Sequence, residues 1–216
     1  MEMVNAARTA ARRQTLKEAL VNAAAEAIGR QGLTGLKARA LADAAGCAVG
    51  AIYNVVADLD ELILEVNART LRALEADLTA AGRPPAGAPD ADWAIAELTR
   101  MAVAYLDFAA KNVRLWRAVY DHRLPEGGKL PKSYLDEQMR LFTFIEEPLR
   151  VLQPGASAHR YALLARSLTS AVHGIVMLGL EEKLYAIPLP ALREQVSFVA
   201  AAIGRGLVAP EAAPSV

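Results

Sequence analysis

An all-α fold is predicted, of about nine helices: three within the first 56 residues and the rest in a larger C-terminal helical bundle. Three observations predict it. Apolar residues recur at helical spacing along nearly the whole chain, strand-like alternation is scarce, and Pro and Gly gather at a few points that punctuate the apolar stretches.

Leu16, Leu20, Ala23, Ala27 and Ile28 form one stripe of a first helix, expected from about Thr9 to Gln31 and stopped by Gly32. Two short helices then straddle Gly46. A longer helix is expected to begin near Asp58, whose carboxylate suits an N-cap, and to bury Leu62, Leu64, Val66, Leu71, Leu74 and Leu78. Residues 82–92, GRPPAGAPDAD, read as a loop. Trp93, Leu98, Met101, Tyr105 and Phe108 mark the next helix, and Asn112 to His122 a further short one. The loop LPEGGKLP at 124–131 precedes a helix bearing Leu135, Met139, Phe142, Ile145 and Leu149, and QPGAS at 153–157 breaks the chain again. Two strongly apolar helices follow, about Ala158 to Leu184 and Pro190 to Leu207, and the tail 209–216 is expected to fray.

The 216 residues suffice for a small domain joined to a larger one, and 54% hydrophobic content excludes a disordered chain. Lys and Arg together number 24, as do Asp and Glu, yet residues 1–50 hold seven basic side chains (Arg8, Arg12, Arg13, Lys17, Arg30, Lys37, Arg39) against four acidic ones (Glu2, Glu18, Glu26, Asp43). The head is mildly basic and the body acidic. Such a head fits a polyanion partner, although random scatter gives an excess of this size as well. Cys47 is the single cysteine, so no internal disulfide forms, no metal-ligand spacing exists, and a reducing, cytoplasmic location is favoured. No apolar leader opens the sequence. The longest uncharged runs, such as that between Arg166 and Glu181, fall short of the roughly 20 apolar residues of a membrane span and read as buried helices, so no membrane partner is expected.

Residues 38–56, ARALADAAGCAVGAIYNVV, set Leu41, Ala42 and Ala45 on one face of a short helix, Gly46 at its end, and Ile52 and Val56 on the next. This is the pattern of a helix-turn-helix. Gly46 takes a left-handed conformation cheaply, the small residues Ala42, Ala45 and Gly50 allow a close crossing, and Leu41 and Ile52 lock it. The second helix is then exposed and fits the major groove of double-stranded DNA.

At this point the chain resembles the TetR family of bacterial regulators. The resemblance rests on ALVNAAAEAIGRQGL in the first helix, on LADAAGCAVGAIYNVVADLDELI, on the length and on the helix count. Leu41-Ala42, Ala45-Gly46, Gly50, Ile52-Tyr53 and Leu62 match the family pattern. Ala48 stands where the family has Ser, Val56 for its Phe, Leu59 for its Lys and Lys37 for its Thr or Ser cap, so several phosphate-binding groups are missing. WRAVYDHRLPEG at 116–127 and the His173-Gly174 pair are similar to a subgroup with a Trp-His-Gly pattern in its C-terminal domain. The resemblance implies a DNA-binding domain over 1–57 and an effector-binding, dimerising bundle over 58–208. It implies a ligand-responsive transcriptional repressor, released from a palindromic operator by a small apolar or aromatic effector. It implies no cofactor.

Candidate DNA contacts are Lys37, Arg39, Tyr53 and Asn54, with Ala48, Val49 and Ala51 facing thymine methyl groups and main-chain amides at the start of the second helix meeting phosphate. Arg8, Arg12 and Arg13 read as a flexible arm reaching phosphate or the minor groove. Each has a plain structural alternative: Tyr53 packing on the first helix, the basic residues as solvated charges, the small residues as a weakly specific surface. Candidate effector contacts are Trp93, Met101, Tyr105, Phe108, Trp116, Tyr120, His122, Phe142, His173 and Met177, which read equally as core. Gly174, inside a helix at a cost of about 1 kcal/mol relative to Ala, suggests a close approach by a ligand or a helix. The last two helices from each of two chains would form a four-helix homodimer interface.

Two competing readings remain. The same fold serves a helical ligand-binding protein that has lost sequence-specific DNA binding, which the apolar second helix favours. An enzyme using Asp121 and His122 is disfavoured, because no Ser elbow, metal spacing or phosphate loop accompanies them.

Overall fold

The computed structural model describes residues 2–80, 88–181 and 187–208, with side chains from residue 6 onward. Its helices are α1 (Glu2–Gln31), α2 (Ala38–Ala44), α3 (Val49–Ile52), α4 (Leu59–Thr79), α5 (Ala91–Lys111), α6 (Val113–Asp121), α7 (Lys132–Leu152), α8 (Ala158–Gly179) and α9 (Leu189–Leu207), with a 3-10 turn at Leu33–Gly35. Among the described residues there are nine α-helices and no strand.

Local chemistry explains most boundaries. Gly32 ends α1 at φ 70° and Gly46 ends α2 at φ 66°, a left-handed backbone that glycine adopts without strain. Asp58 caps α4 as expected, its Oδ1 accepting from the Glu61 N–H at 2.7 Å, while Glu61 accepts from the Ala57 N–H. Asp90 caps α5 in the same way through the Trp93 N–H. α1 begins at Glu2 rather than near Thr9, because Ala and Arg continue a helix well without an apolar stripe. The helix expected to reach Leu184 ends at Gly179; positions 182–184, like 82–87 of the expected loop and the tail from 209, lie outside the described residues.

Two compact units emerge: residues 1–73 with 112–135, and residues 74–111 with 136–216. In the first, Leu20, Ala24, Ile28, Leu41, Ala42, Ile52, Val56, Leu62 and Val66 form one buried cluster, with α6 packed on α1 and Ala118 inside the cluster. Lys17 ties α1 to α4 through Glu65 at 2.6 Å and Glu61 at 3.4 Å. The Glu65 carboxylate raises the Lys17 pKa, outweighing burial. In the second unit α5 and α9 pack most intimately: a Cβ built on Gly204 would lie 3.0 Å from Ile95. α8 also packs on α9, with Leu168, Val172 and Val176 buried. α8 is long and apolar enough to cross a membrane by length and composition, but it is not the buried helix its sequence suggests, since Leu163 and Leu178 on it are exposed.

Candidate nucleic-acid interface and effector site

The turn between α2 and α3 is built as its sequence requires. Ile52 is fully buried and Leu41 nearly so, which fixes the crossing, and the Cys47 N–H donates to the Ala42 carbonyl at 2.9 Å to close the turn. Gly50 does not serve the crossing: it faces open space, because it lies on the outer side of α3. That outer side carries Ala48, Val49, Tyr53 and Asn54, all exposed, with Ala51 half-buried. Tyr53 is 51% exposed, so at least half of its side chain is open to a partner. Lys37 and Arg39 are exposed on the α2 side, and neither they nor the Tyr53 and Asn54 side chains spend their hydrogen-bonding groups on the described protein. With only four residues, α3 sums few peptide dipoles. Side chains must carry most of any contact.

Arg8, Arg12 and Arg13 are also exposed, but they stand on α1, not in a flexible arm. The helix continues through them for the propensity reason given above.

The effector candidates divide between the units. Trp116 and Tyr120 stand on α6 and His122 directly follows it, all within the first unit. Trp116 is buried with its ring 5.5 Å from that of Tyr120, edge to face. His122 faces Asp60, not its neighbour Asp121: its Nε2 is 3.5 Å from Asp60 Oδ1. In the second unit Tyr105 and His173 meet at 2.8 Å, and burial lowers the His173 pKa, favouring the neutral ring. Phe108 is buried, while Trp93, Met101 and Met177 are half-buried. Gly174 contradicts its sequence reading, as nothing lies within 4 Å of a Cβ built there: it sits on an open face of α8.

Phe142 has a different environment. It lines a cleft of about 380 Å³ between α7 and α8, together with Asp136, Met139, Arg140, Thr143, Glu146, Ala162 and Arg166. Except for Phe142 these residues were not anticipated as ligand contacts. Their spacing of three and four along α7 marks one face, which by composition alone reads as a solvated, charged one. Among the described residues no group of three or more His, Cys, Asp or Glu side chains is placed to hold a metal ion.

Residues 98–202 match a family described as the tetracyclin repressor-like C-terminal domain, a span running from α5 into α9. Among curated proteins no sequence match was found. Several solved structures share the fold. One is a protein of unknown function from Rhodococcus sp. RHA1, 22% identical, with a TM-score of 0.64, covering 90% of this chain and 95% of that one. Another is a TetR-family transcriptional regulator from Streptomyces coelicolor, 19% identical, with a TM-score of 0.62 and coverage of 93% and 92%. A third is a regulatory protein of the TetR family from Rhodococcus RHA1, 17% identical, with a TM-score of 0.62 and coverage of 88% and 97%. Residues 98–202 thus match a tetracyclin repressor-like C-terminal domain, and the chain as a whole shares its fold with regulators of the TetR family.

Proposed function

We propose that the protein is a ligand-responsive repressor that binds a palindromic operator as a homodimer. The observation that carries this reading is the α2–α3 pair, in which a fully buried Ile52 stands next to an outward-facing Tyr53. Lys37 and Arg39 neutralise phosphates, Tyr53 and Asn54 donate to base edges or phosphates, and Ala48, Val49 and Ala51 present apolar surface to thymine methyl groups. Dimerisation uses α8 and α9, supported by the exposure of Leu178 (62%) and Phe198 (69%) and by the open face at Gly174. The cleft at Phe142 is of a size suited to a small molecule with an apolar or aromatic body. Effector binding releases DNA by favouring a dimer geometry that no longer matches the groove spacing.

Selection from a random duplex pool tests the reading. It should enrich an inverted repeat, and Tyr53→Ala should lower affinity for that repeat by about 1–3 kcal/mol relative to mixed-sequence DNA. A second reading, a ligand-binding protein of the same fold without sequence-specific DNA binding, is favoured by how few side chains on α3 form hydrogen bonds. Failure to enrich any sequence, with ligand binding intact, would establish it instead.

A further inference from the structure

From Ala6 to Thr15, α1 lies uncovered by the rest of the described residues, and the first side chains to gain cover are Leu16 and Lys17. At 1.5 Å per residue these ten residues extend α1 by about 15 Å beyond its packed part. Nothing apolar larger than alanine occurs among them, so the segment has no greasy face to offer a protein groove or a lipid surface. It carries three arginines instead, at 8, 12 and 13, none of them paired with a described carboxylate. Arg8 and Arg12 are like charges four residues apart, mildly unfavourable in the free helix. A polyanion relieves that repulsion.

We propose that the first half of α1 is a rigid basic outrigger lying against the DNA phosphate backbone beside the helix-turn-helix site, held by Arg8, Arg12 and Arg13. The inference rests on the DNA-binding reading above and extends it to where the basic residues act. Rigidity follows from continuity: the segment prolongs a helix already nucleated and packed from Leu16 on, and its alanines sustain it. Shape then selects the target. A helix about 10–12 Å across does not enter a minor groove about 6 Å wide. Nor do the three arginines line up on a single row of base edges, since positions 8, 12 and 13 spread over about 140° of the helix. Phosphates on the walls of a groove accept such a spread, so the contact adds affinity and footprint without sequence preference.

Two variants of the full chain test this against a mixed-sequence 40-bp duplex, read by fluorescence anisotropy from about 50 to about 200 mM KCl. Arg8→Gln/Arg12→Gln/Arg13→Gln should reduce the slope of log affinity against log salt by about two to three per protomer. Ala7→Gly/Ala10→Gly/Ala11→Gly keeps every charge but removes helix, which circular dichroism verifies, and should weaken binding severalfold. An unchanged slope in the first variant overturns the arginine contacts. Unchanged affinity in the second, with helix lost, overturns the rigid outrigger in favour of a flexible tether. The underlying reading fails separately: the wild-type chain would then bind no duplex even at the lowest salt.

Discussion

The Tyr105 hydroxyl lies 2.8 Å from His173 Nδ1, a hydrogen bond that joins α5 to α8 and that either group donates, depending on the ring tautomer. Burial holds the His173 pKa below its ordinary value of 6.5. The unfolded chain takes up a proton near 6.5 while the folded one resists it, so stability from this group is complete above 6.5 and falls as pH drops toward the folded value. Melting temperature should therefore decline on acidification below 6.5. His173→Phe should flatten that decline. A profile unchanged by the substitution would show that other groups carry the acid sensitivity.

Ile52 makes a second prediction. Fully buried between α3 and the first-unit core, it is the side chain against which the turn is locked. Ile52→Ala should cost about 2–4 kcal/mol in chemical denaturation, through lost transfer energy and the cavity left behind. Tyr53→Ala, one residue on and half exposed, should cost under about 1 kcal/mol of stability while lowering DNA affinity. The pair separates folding from recognition.

What the sequence makes legible here is what a helical period records. Leu41, Ala42 and Ile52 alternate with exposed neighbours in a pattern that burial alone explains, and Gly46 and Asp58 announce their turns through backbone chemistry. A 3.6-residue period says which face is covered but not by what. Trp116 and Tyr120 are spaced like the aromatics of α5, yet their helix, α6, belongs to the first unit, where it lies on α1. The Phe142 cleft was hidden for a related reason: its charged lining, Asp136, Arg140, Glu146 and Arg166, has the composition of an ordinary solvated face. Arg8, Arg12 and Arg13 lack an apolar stripe, the signal by which helices are read, and only Ala-rich propensity pointed to the helix they occupy.

Asn67 offers a third test. It is fully buried on α4, its Nδ2 donating to the Ala118 carbonyl of α6 at 3.1 Å, while its Oδ1 has no partner among the described residues. Asn67→Asp places an acceptor against that carbonyl and buries a charge, so it should destabilise by about 3 kcal/mol or more, with recovery at acidic pH as the carboxyl protonates. Asn67→Leu removes the unpaired oxygen together with the donor and leaves the Ala118 carbonyl its bond from the His122 N–H, and should cost less than about 1.5 kcal/mol. If the two substitutions cost the same, packing volume rather than the amide governs this position.

The two glycines of α8 predict opposite effects. A Cβ on Gly179 would overlap Leu192 Cδ1, a side chain fully buried on α9, so Gly179→Ala must displace it and should cost about 1–3 kcal/mol. Gly174 meets nothing within 4 Å, and in an isolated chain Gly174→Ala should gain up to about 1 kcal/mol of helix stability. The proposed dimer alters that second expectation, because a partner's α8 or α9 seated over the open face would then meet the added methyl. Analytical ultracentrifugation of Gly174→Ala separates the cases: a higher melting temperature with weaker self-association places the dimer interface over Gly174, whereas unchanged association places the interface elsewhere on α8 and α9, toward Leu178 and Phe198.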